Sequence, residues 1–258
     1  MESIADERAF FEEQWPQLRA SLERDGAAAM VDGILSHEPD PERAALFRFA
    51  RQGLVLGEWE GKNLDAYVTV IEAGMSWLSV RAEAVPSEER NDYLAVLTEL
   101  TFNYAADLAD CWPGDDEPRT PDHFEHGRNA AEQSVGLREE LNKPDSSKHL
   151  GWWAFGYHLL RLGHTDAAAD CMERSLEHAR RAARDNGASD QITSQAPFPV
   201  LVGAGYLGLA RIADDEPSGP DLYGEALAAF RAQLADPDKA ADAQFGIDQL
   251  ERVRGFIK

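Results

Sequence analysis

The segment that decides the fold is Leu150-Gly151-Trp152-Trp153-Ala154-Phe155-Gly156-Tyr157-His158-Leu159-Leu160, which is apolar around almost the whole circumference of a helix. Helices of this kind are enclosed by neighbours on several sides. The next segment, 165–186, is apolar on one side only, through Ala168, Met172, Ser175, Ala179 and Ala183. The same order recurs in 198–212, which is apolar nearly throughout, and in 220–235, which is one-sided. This repeated order of a buried and an amphipathic helix predicts a stack of helical pairs.

Helix starts are marked in four places by a capping residue, a proline and an acid: Asp40-Pro41-Glu42, Thr120-Pro121-Asp122, Gly219-Pro220-Asp221 and Asp236-Pro237-Asp238. Together with apolar residues at three- and four-residue spacing, these signals predict about eleven helices. They lie near 3–25, 27–36, 41–57, 63–84, 87–111, 121–141, 148–162, 165–186, 198–213, 220–235 and 238–255. Because no strand-length segment alternates strictly between apolar and polar residues, the sequence predicts an all-α protein.

One segment carries a repeat signature. Trp152, Gly156, Gly163 and Ala168 stand at the spacings of the tetratricopeptide repeat, in which small residues let paired helices approach and large ones fill the gap. Residues 152–175 therefore resemble one such repeat, with apolar substitutes at Leu159 and Met172. Strict 34-residue phasing is missing from the rest of the chain.

The resemblance implies antiparallel helical pairs stacked as a right-handed α-α superhelix. We expect a single helical-repeat domain over residues 1–258. In it, 1–36 would form N-terminal capping helices, 41–235 the helical pairs and 238–258 a C-terminal capping helix.

Charge excludes two classes of partner. The 258 residues include 47 Asp and Glu against 25 Lys and Arg, for a net charge of -22. A chain this acidic repels the phosphates of nucleic acids and the anionic surface of membranes. The acidic residues among the first eight and the lack of an 18-residue apolar run predict no signal peptide and no membrane span, so we expect a cytoplasmic protein.

Two acidic loops repeat each other. The first contains Asp115, Asp116 and Glu117, and the second contains Asp214, Asp215 and Glu216; both are followed by proline and a helix start. One hypothesis is a reused loop that ends one helix and caps the next. The other is a pair of acidic surfaces that meet a basic partner.

A glycine motif at 203–208, Gly203-Ala204-Gly205-Tyr206-Leu207-Gly208, has the spacing of a dinucleotide-binding loop. That fold needs a second parallel strand after the helix, and the chain continues instead with a helical segment at 222–234. We therefore predict a closely packed, glycine-rich helix, or a shallow floor for a ligand, and no cofactor.

Chemistry-bearing residues form no coherent catalytic set. His123 and His126 lie three apart at a predicted helix start, whereas helical zinc pairs are spaced four apart, so no metal site is predicted. The two cysteines, Cys111 and Cys171, are expected in the core. No Gly-x-Ser-x-Gly elbow is present, and the sequence predicts no enzyme.

The sequence thus predicts a non-enzymatic helical-repeat scaffold that binds a protein or peptide, with a basic one favoured by the charge. Because the inner helices of tetratricopeptide-like arrays line a groove, the groove candidates are Trp153, Tyr157, His158 and Tyr206. One alternative is an acidic neutraliser of a basic protein, of the immunity or antitoxin type. Another is a small-molecule or metal-binding enzyme with a site between the helices 148–162 and 198–213. The oligomeric state stays open.

Overall fold

The computed structural model describes residues 3–57, 59–61 and 63–257, and within them the protein is all-α, as predicted, with eleven α-helices and no strand. The helices are α1 Ile4–Asp25, α2 Ala27–Leu35, α3 Asp40–Arg51, α4 Leu64–Ala84, α5 Ser87–Leu108, α6 Pro121–Glu140, α7 Asp145–Arg161, α8 Thr165–Asp185, α9 Phe198–Ala213, α10 Gly219–Gln233 and α11 Ala240–Arg254. A π-helical turn, Gln52–Leu56, extends α3.

The predicted boundaries hold to within three residues except at the end of α3, which stops at Arg51, where the π-helical turn begins, instead of at 57. Helix α7 begins at Asp145 instead of 148 because Pro144 is its extended N-cap and accepts backbone hydrogen bonds from Ser147 and Lys148 at 2.8 and 3.0 Å. Helix α11 begins at Ala240 instead of 238. The predicted starts at Pro121 and near Pro220 are present in α6 and α10.

The chain divides into two compact units, residues 1–107 and 108–258. The single domain expected over 1–258 stays a prediction. No helix among the described residues is long and apolar enough to cross a membrane.

In the first unit, ion pairs join the helices around an apolar core. Arg48 of α3 donates to Glu7 of α1 at 2.9 Å and to Glu99 of α5 at 2.8 Å. Asp107 accepts hydrogen bonds from Arg51 at 2.8 Å and from the Tyr67 hydroxyl at 2.6 Å. These contacts fasten α1, α4 and α5 to α3 and its C-terminal end.

In the second unit, each helix from α6 to α11 packs against the next one along the chain, and α9 also contacts α7 and α11. Glycines set the closest approaches. A Cβ atom on Gly156 of α7 would lie 3.0 Å from Cys171 Cβ on α8, and one on Gly208 of α9 would lie 2.6 Å from the backbone nitrogen of Tyr223 on α10. The adjacent helical pairs are compatible with a helical repeat.

The two ends of the second unit meet. Arg252 of α11 donates from Nε to the carbonyl oxygen of Asp110 at 2.7 Å, and it also donates to the carbonyl of Asp115. Beside these bonds, the rings of Trp112 and Phe245 stack with centroids 6.3 Å apart. The last helix therefore lies against the segment with which the unit begins.

Candidate functional site

A cavity of about 200 Å³ lies within the second unit, between α7, α8, α9, α11 and the segment after α5. Most of its lining is apolar and is provided by Trp112, Leu150, Trp153, Phe198, Pro199, Val202, Gly203 and Phe245. Three polar side chains complete it: His149, Ser175 and Gln249. A concave, mostly apolar site with a few convergent polar groups is the usual form of a small-molecule site.

Four aromatic side chains form one continuous wall of the cavity. Trp153 meets Trp112 edge to face with centroids 5.7 Å apart, and Trp112 stacks on Phe245. The ring of Phe198 also contacts Phe245, with centroids 6.2 Å apart. Phe245 is 40% exposed, whereas Trp153 is only 8% exposed, so the wall runs from the surface into the interior.

Glycine on α9 provides part of the opposite wall. Gly203 is buried, and a Cβ atom there would stand 3.5 Å or more from Leu176. Gly203 lines the cavity, while Gly205 and Gly208 of the same helix allow close packing against α11 and α10. The motif at 203–208 thus lies in the interior of a helix, as predicted, and no strand precedes it.

His149 is the polar group at the α7 side of the cavity. Burial, together with electrostatic interactions with His178 and Arg138, lowers the pKa of His149 to about 4, so its imidazole is neutral at pH 7. Ser175 of α8 donates a 2.8 Å hydrogen bond to the backbone carbonyl of His149, which fixes the first turns of α7. The ring itself makes no hydrogen bond within the described part of the chain.

Gln249 is the polar group on α11 and is 3% exposed. Its amide nitrogen donates to the sulfur of Cys111 at 3.3 Å. Burial raises the pKa of Cys111 to about 12, so the sulfur stays a neutral thiol. The amide oxygen accepts no hydrogen bond from any described residue, and it is not fully enclosed by protein atoms. Because Gln249 is otherwise enclosed and lines the cavity, we infer that this oxygen faces the cavity.

A second cavity of about 150 Å³ adjoins the first. It lies between the start of α7, the end of α8 and the start of α9, and its lining is mainly small side chains such as Ala179 and Ala183. His149 and Pro199 line both cavities, so these two residues form the partition between them.

The predicted groove residues lie in the interior of the second unit. Tyr157, His158 and Tyr206 have no exposed surface, and only Trp153 lines the cavity. Burial raises the pKa of Tyr157 well above its ordinary value, and its hydroxyl donates to Asp110. Their role in binding a partner stays a prediction, because in this conformation three of the four side chains pack between helices.

Two of these side chains carry an incompletely satisfied polar atom. Trp153 Nε1 and the Tyr206 hydroxyl are buried without a hydrogen bond of normal geometry, although the two side chains interact with each other and Tyr206 interacts with Cys111. Burial, with the nearby Cys111, raises the pKa of Tyr206 well above its ordinary value. The phenol therefore stays neutral, beside the inner end of the aromatic wall.

The first predicted acidic loop connects α5 to α6 and is partly neutralised by local arginines. Asp115 accepts a 3.0 Å hydrogen bond from Arg119, and Asp116, which is 93% exposed, lies 3.6 Å from Arg252. Glu117 is exposed. The loop therefore ends one helix and joins α11 through its own charges.

The second acidic loop connects α9 to α10. Asp214 accepts a 2.6 Å hydrogen bond from Thr165, and Glu216 lies 3.5 Å from Arg211. Asp215 is exposed and adopts the left-handed backbone conformation, with φ of 55°. Both loops make structural contacts, and their predicted role toward a basic partner stays a prediction.

The two predicted histidines at the start of α6 have different environments. His123 is buried and forms a capping box: its Nδ1 accepts from the Thr120 N–H at 3.2 Å while the Thr120 hydroxyl oxygen accepts from the His123 N–H at 3.3 Å. His126 is partly buried. Across the described ranges, no group of three or more His, Cys, Asp or Glu side chains is arranged around a metal position.

Several residues of the cavity carry no signal that sequence reasoning detected. Trp112, Phe245 and Gln249 lie far from α7 in sequence, and each has an ordinary helical or loop context. Only the adjacency of the first and last segments of the unit brings them together.

Comparisons with protein-family models, with curated proteins and with solved structures gave no match. Function must therefore be argued from the cavity.

Proposed function

We propose that the second unit binds a small, predominantly apolar ligand in the cavity between α7, α9 and α11. The observation that carries this proposal is the aromatic wall of Trp153, Trp112, Phe245 and Phe198, which runs from the surface into a cavity of about 200 Å³. An apolar cavity of about 150 Å³ is enough to bind benzene, so this one has room for a somewhat larger ring system. It lies between α7 and α9, the two helices that the alternative hypothesis of a small-molecule site names.

The proposed function is binding, without catalysis by these side chains. Ser175, the hydroxyl in the lining, donates to a backbone carbonyl and has no hydrogen bond to a base that would activate it. The Ser175 hydroxyl bonds to the backbone carbonyl of His149 and not to its neutral imidazole ring. An apolar lining with few polar groups favours recognition by shape and burial.

A second candidate is the predicted protein- or peptide-binding scaffold of tetratricopeptide type, in a cytoplasmic setting. The observation in its favour is the close α7–α8 pair, in which Gly156 meets Cys171 and Met172 as the small residues of that repeat meet their partner helix. A peptide would use the same cavity, by inserting one apolar side chain past the exposed Phe245. The alternative of an acidic neutraliser of a basic protein stays a prediction.

The proposal is tested with toluene as the probe and with two variants of the full chain. A ligand at tenfold its Kd stabilises the folded state by about 1.4 kcal/mol, which raises Tm by about 3–6 °C in a unit of this size. Val202→Phe places a ring in the cavity and is expected to remove the shift. Leu234→Phe adds the same ring at a position that is 39% exposed and outside the cavity, and is expected to retain it.

An equal shift in wild type and Val202→Phe would contradict the proposal, as would the absence of any shift at saturating toluene. The variants are compared by circular dichroism first, so that a loss of folding is separated from a loss of binding. The peptide candidate is tested in parallel with phenylalanine-containing peptides, which would have to compete with toluene.

A further inference from the structure

From the polar groups of the cavity we infer the class of ligand: an uncharged, two-ring aromatic molecule with one N–H or O–H donor, of the indole or naphthol class, whose donor bonds to Gln249 Oε1. This inference rests on the proposed function and goes beyond it by stating which hydrogen bond orients the ligand.

Size favours two fused rings. The cavity is about one third larger than the 150 Å³ that accommodates benzene, and its flat aromatic walls match a planar ligand. The stacked pair of Trp112 and Phe245, whose ring planes differ by 25°, provides the flat surface nearest the opening. A ligand of this shape would pass Phe245 edge first and lie along Trp153.

Charge favours a neutral ligand. The surroundings of His149 already disfavour a positive charge on its ring, through burial and through electrostatic interactions with His178 and Arg138. An organic cation would also find no counter-charge, because the lining contains no Asp or Glu. An anion would find no cationic side chain in the lining, which contains no lysine or arginine, and would lose its hydration.

Hydrogen bonding favours a donor on the ligand. The Gln249 amide nitrogen is used by Cys111, which leaves the amide oxygen as an acceptor open to the cavity. Gln249 is 3% exposed, so this oxygen has little access to water other than through the cavity. Water in the cavity can bond to this oxygen, so a ligand that fills the cavity displaces that water and loses affinity unless its own N–H or O–H replaces the hydrogen bond.

The experiment is isothermal titration calorimetry of the full chain with indole, benzofuran and tetramethylammonium. Benzofuran has the shape of indole with oxygen in place of N–H, so it lacks the donor. One neutral hydrogen bond predicts that indole binds about fivefold more tightly than benzofuran. Tetramethylammonium is expected not to bind.

A residue substitution completes the cycle. Gln249→Met keeps the length of the side chain and removes the acceptor, so the ratio of the two affinities is expected to fall to about one. Gln244→Met, on the exposed face of the same helix, is the control and is expected to keep the fivefold ratio. The comparison of the two ligands on the wild-type chain needs no variant, so it holds even where Gln249→Met weakens the fold.

Outcomes separate this inference from the proposed function. Equal binding of indole and benzofuran, or tighter binding of benzofuran, would overturn the role of Gln249 Oε1 while leaving an apolar site intact. Tight binding of tetramethylammonium would overturn the inferred charge of the ligand. Failure of indole, benzofuran and toluene alike would remove both the inference and the function on which it rests.

Discussion

Substitution of Gly208 by alanine tests how closely α9 and α10 approach. The change adds one methyl group in the middle of α9, where a Cβ atom would lie 2.6 Å from the backbone nitrogen of Tyr223 and 2.9 Å from its Cα. Ordinary carbon contacts are about 3.5–4.0 Å, so the helices must separate by roughly 1 Å. Because the obstacle is backbone, no side-chain rotation relieves it.

The expected magnitude follows from two opposing contributions. Alanine is more favourable than glycine in a helix interior by about 1 kcal/mol. Overpacking of a filled interior costs about 1–3 kcal/mol, and the upper part of that range applies where backbone must move. We therefore expect Gly208→Ala to lower the free energy of unfolding of the second unit by about 1–2 kcal/mol.

The matched control is Gly224→Ala on α10, where an added Cβ atom meets nothing within 4 Å. This variant gains the helix propensity without the overpacking, so it is expected to be more stable by up to about 1 kcal/mol. The assay is urea denaturation followed by circular dichroism, combined with hydrogen exchange of the α9 and α10 amides. The exchange data report this helix pair directly, whichever unit unfolds first.

The result that would refute the reasoning is Gly208→Ala with stability equal to or above that of the wild type. Such a result would mean that α9 and α10 do not approach as closely as their backbones indicate. Equal destabilisation by both alanine variants would contradict the argument as well, because only one of the two positions is enclosed.

Two further predictions concern titration and reactivity. The pKa of His149 falls from 6.5 to about 4 on folding, so the unfolded chain binds the proton first as pH falls. Stability is therefore lost between about pH 6.5 and 4, and His149→Phe is expected to remove up to about 3 kcal/mol of that pH dependence. Urea denaturation across this range measures it, and an unchanged profile in the variant would contradict the assignment. Burial raises the pKa of Cys111 to about 12 and that of Cys171 to about 11. Iodoacetamide at pH 8 is therefore expected to label neither thiol in the native protein and both in urea. Rapid labelling of the native protein, detected by mass spectrometry, would contradict this.

The helices were largely predictable because their signals are local. At the start of α6, Thr120 is the N-cap and Pro121 is the first helical residue, as their sequence pattern predicts. Every predicted helix has a counterpart in the structure. The start of α7 was predicted three residues late, because Pro144 acts through its backbone carbonyl and not through a capping side chain. Local chemistry therefore predicts where helices lie, with errors of a few residues at their ends.

The cavity was predictable only in its position between two helices. The sequence indicates that α7 and α9 are apolar nearly all round, and it singles out Gly203 and Trp153, both of which line the cavity. It does not indicate that Trp112, Phe245 and Gln249 complete the lining, because their contribution depends on contacts between distant segments. The same pattern that marks Tyr157 and Tyr206 as apolar cannot distinguish a side chain in a groove from one between helices.

The contact between Arg252 and the segment 110–115 has a consequence for how the second unit folds. Neighbouring helices make local contacts, but these two hydrogen bonds join residues 142 and 137 positions apart. Because closing a loop of this length costs chain entropy, we expect these bonds to form late in the folding of the unit. Adjacent ends also favour circular permutation, with a linker from the last helix to residue 108 and new termini in an exposed loop. An open array of repeats can lose its last repeat and keep the rest, whereas removal of α11 here would expose the first segment of the unit as well.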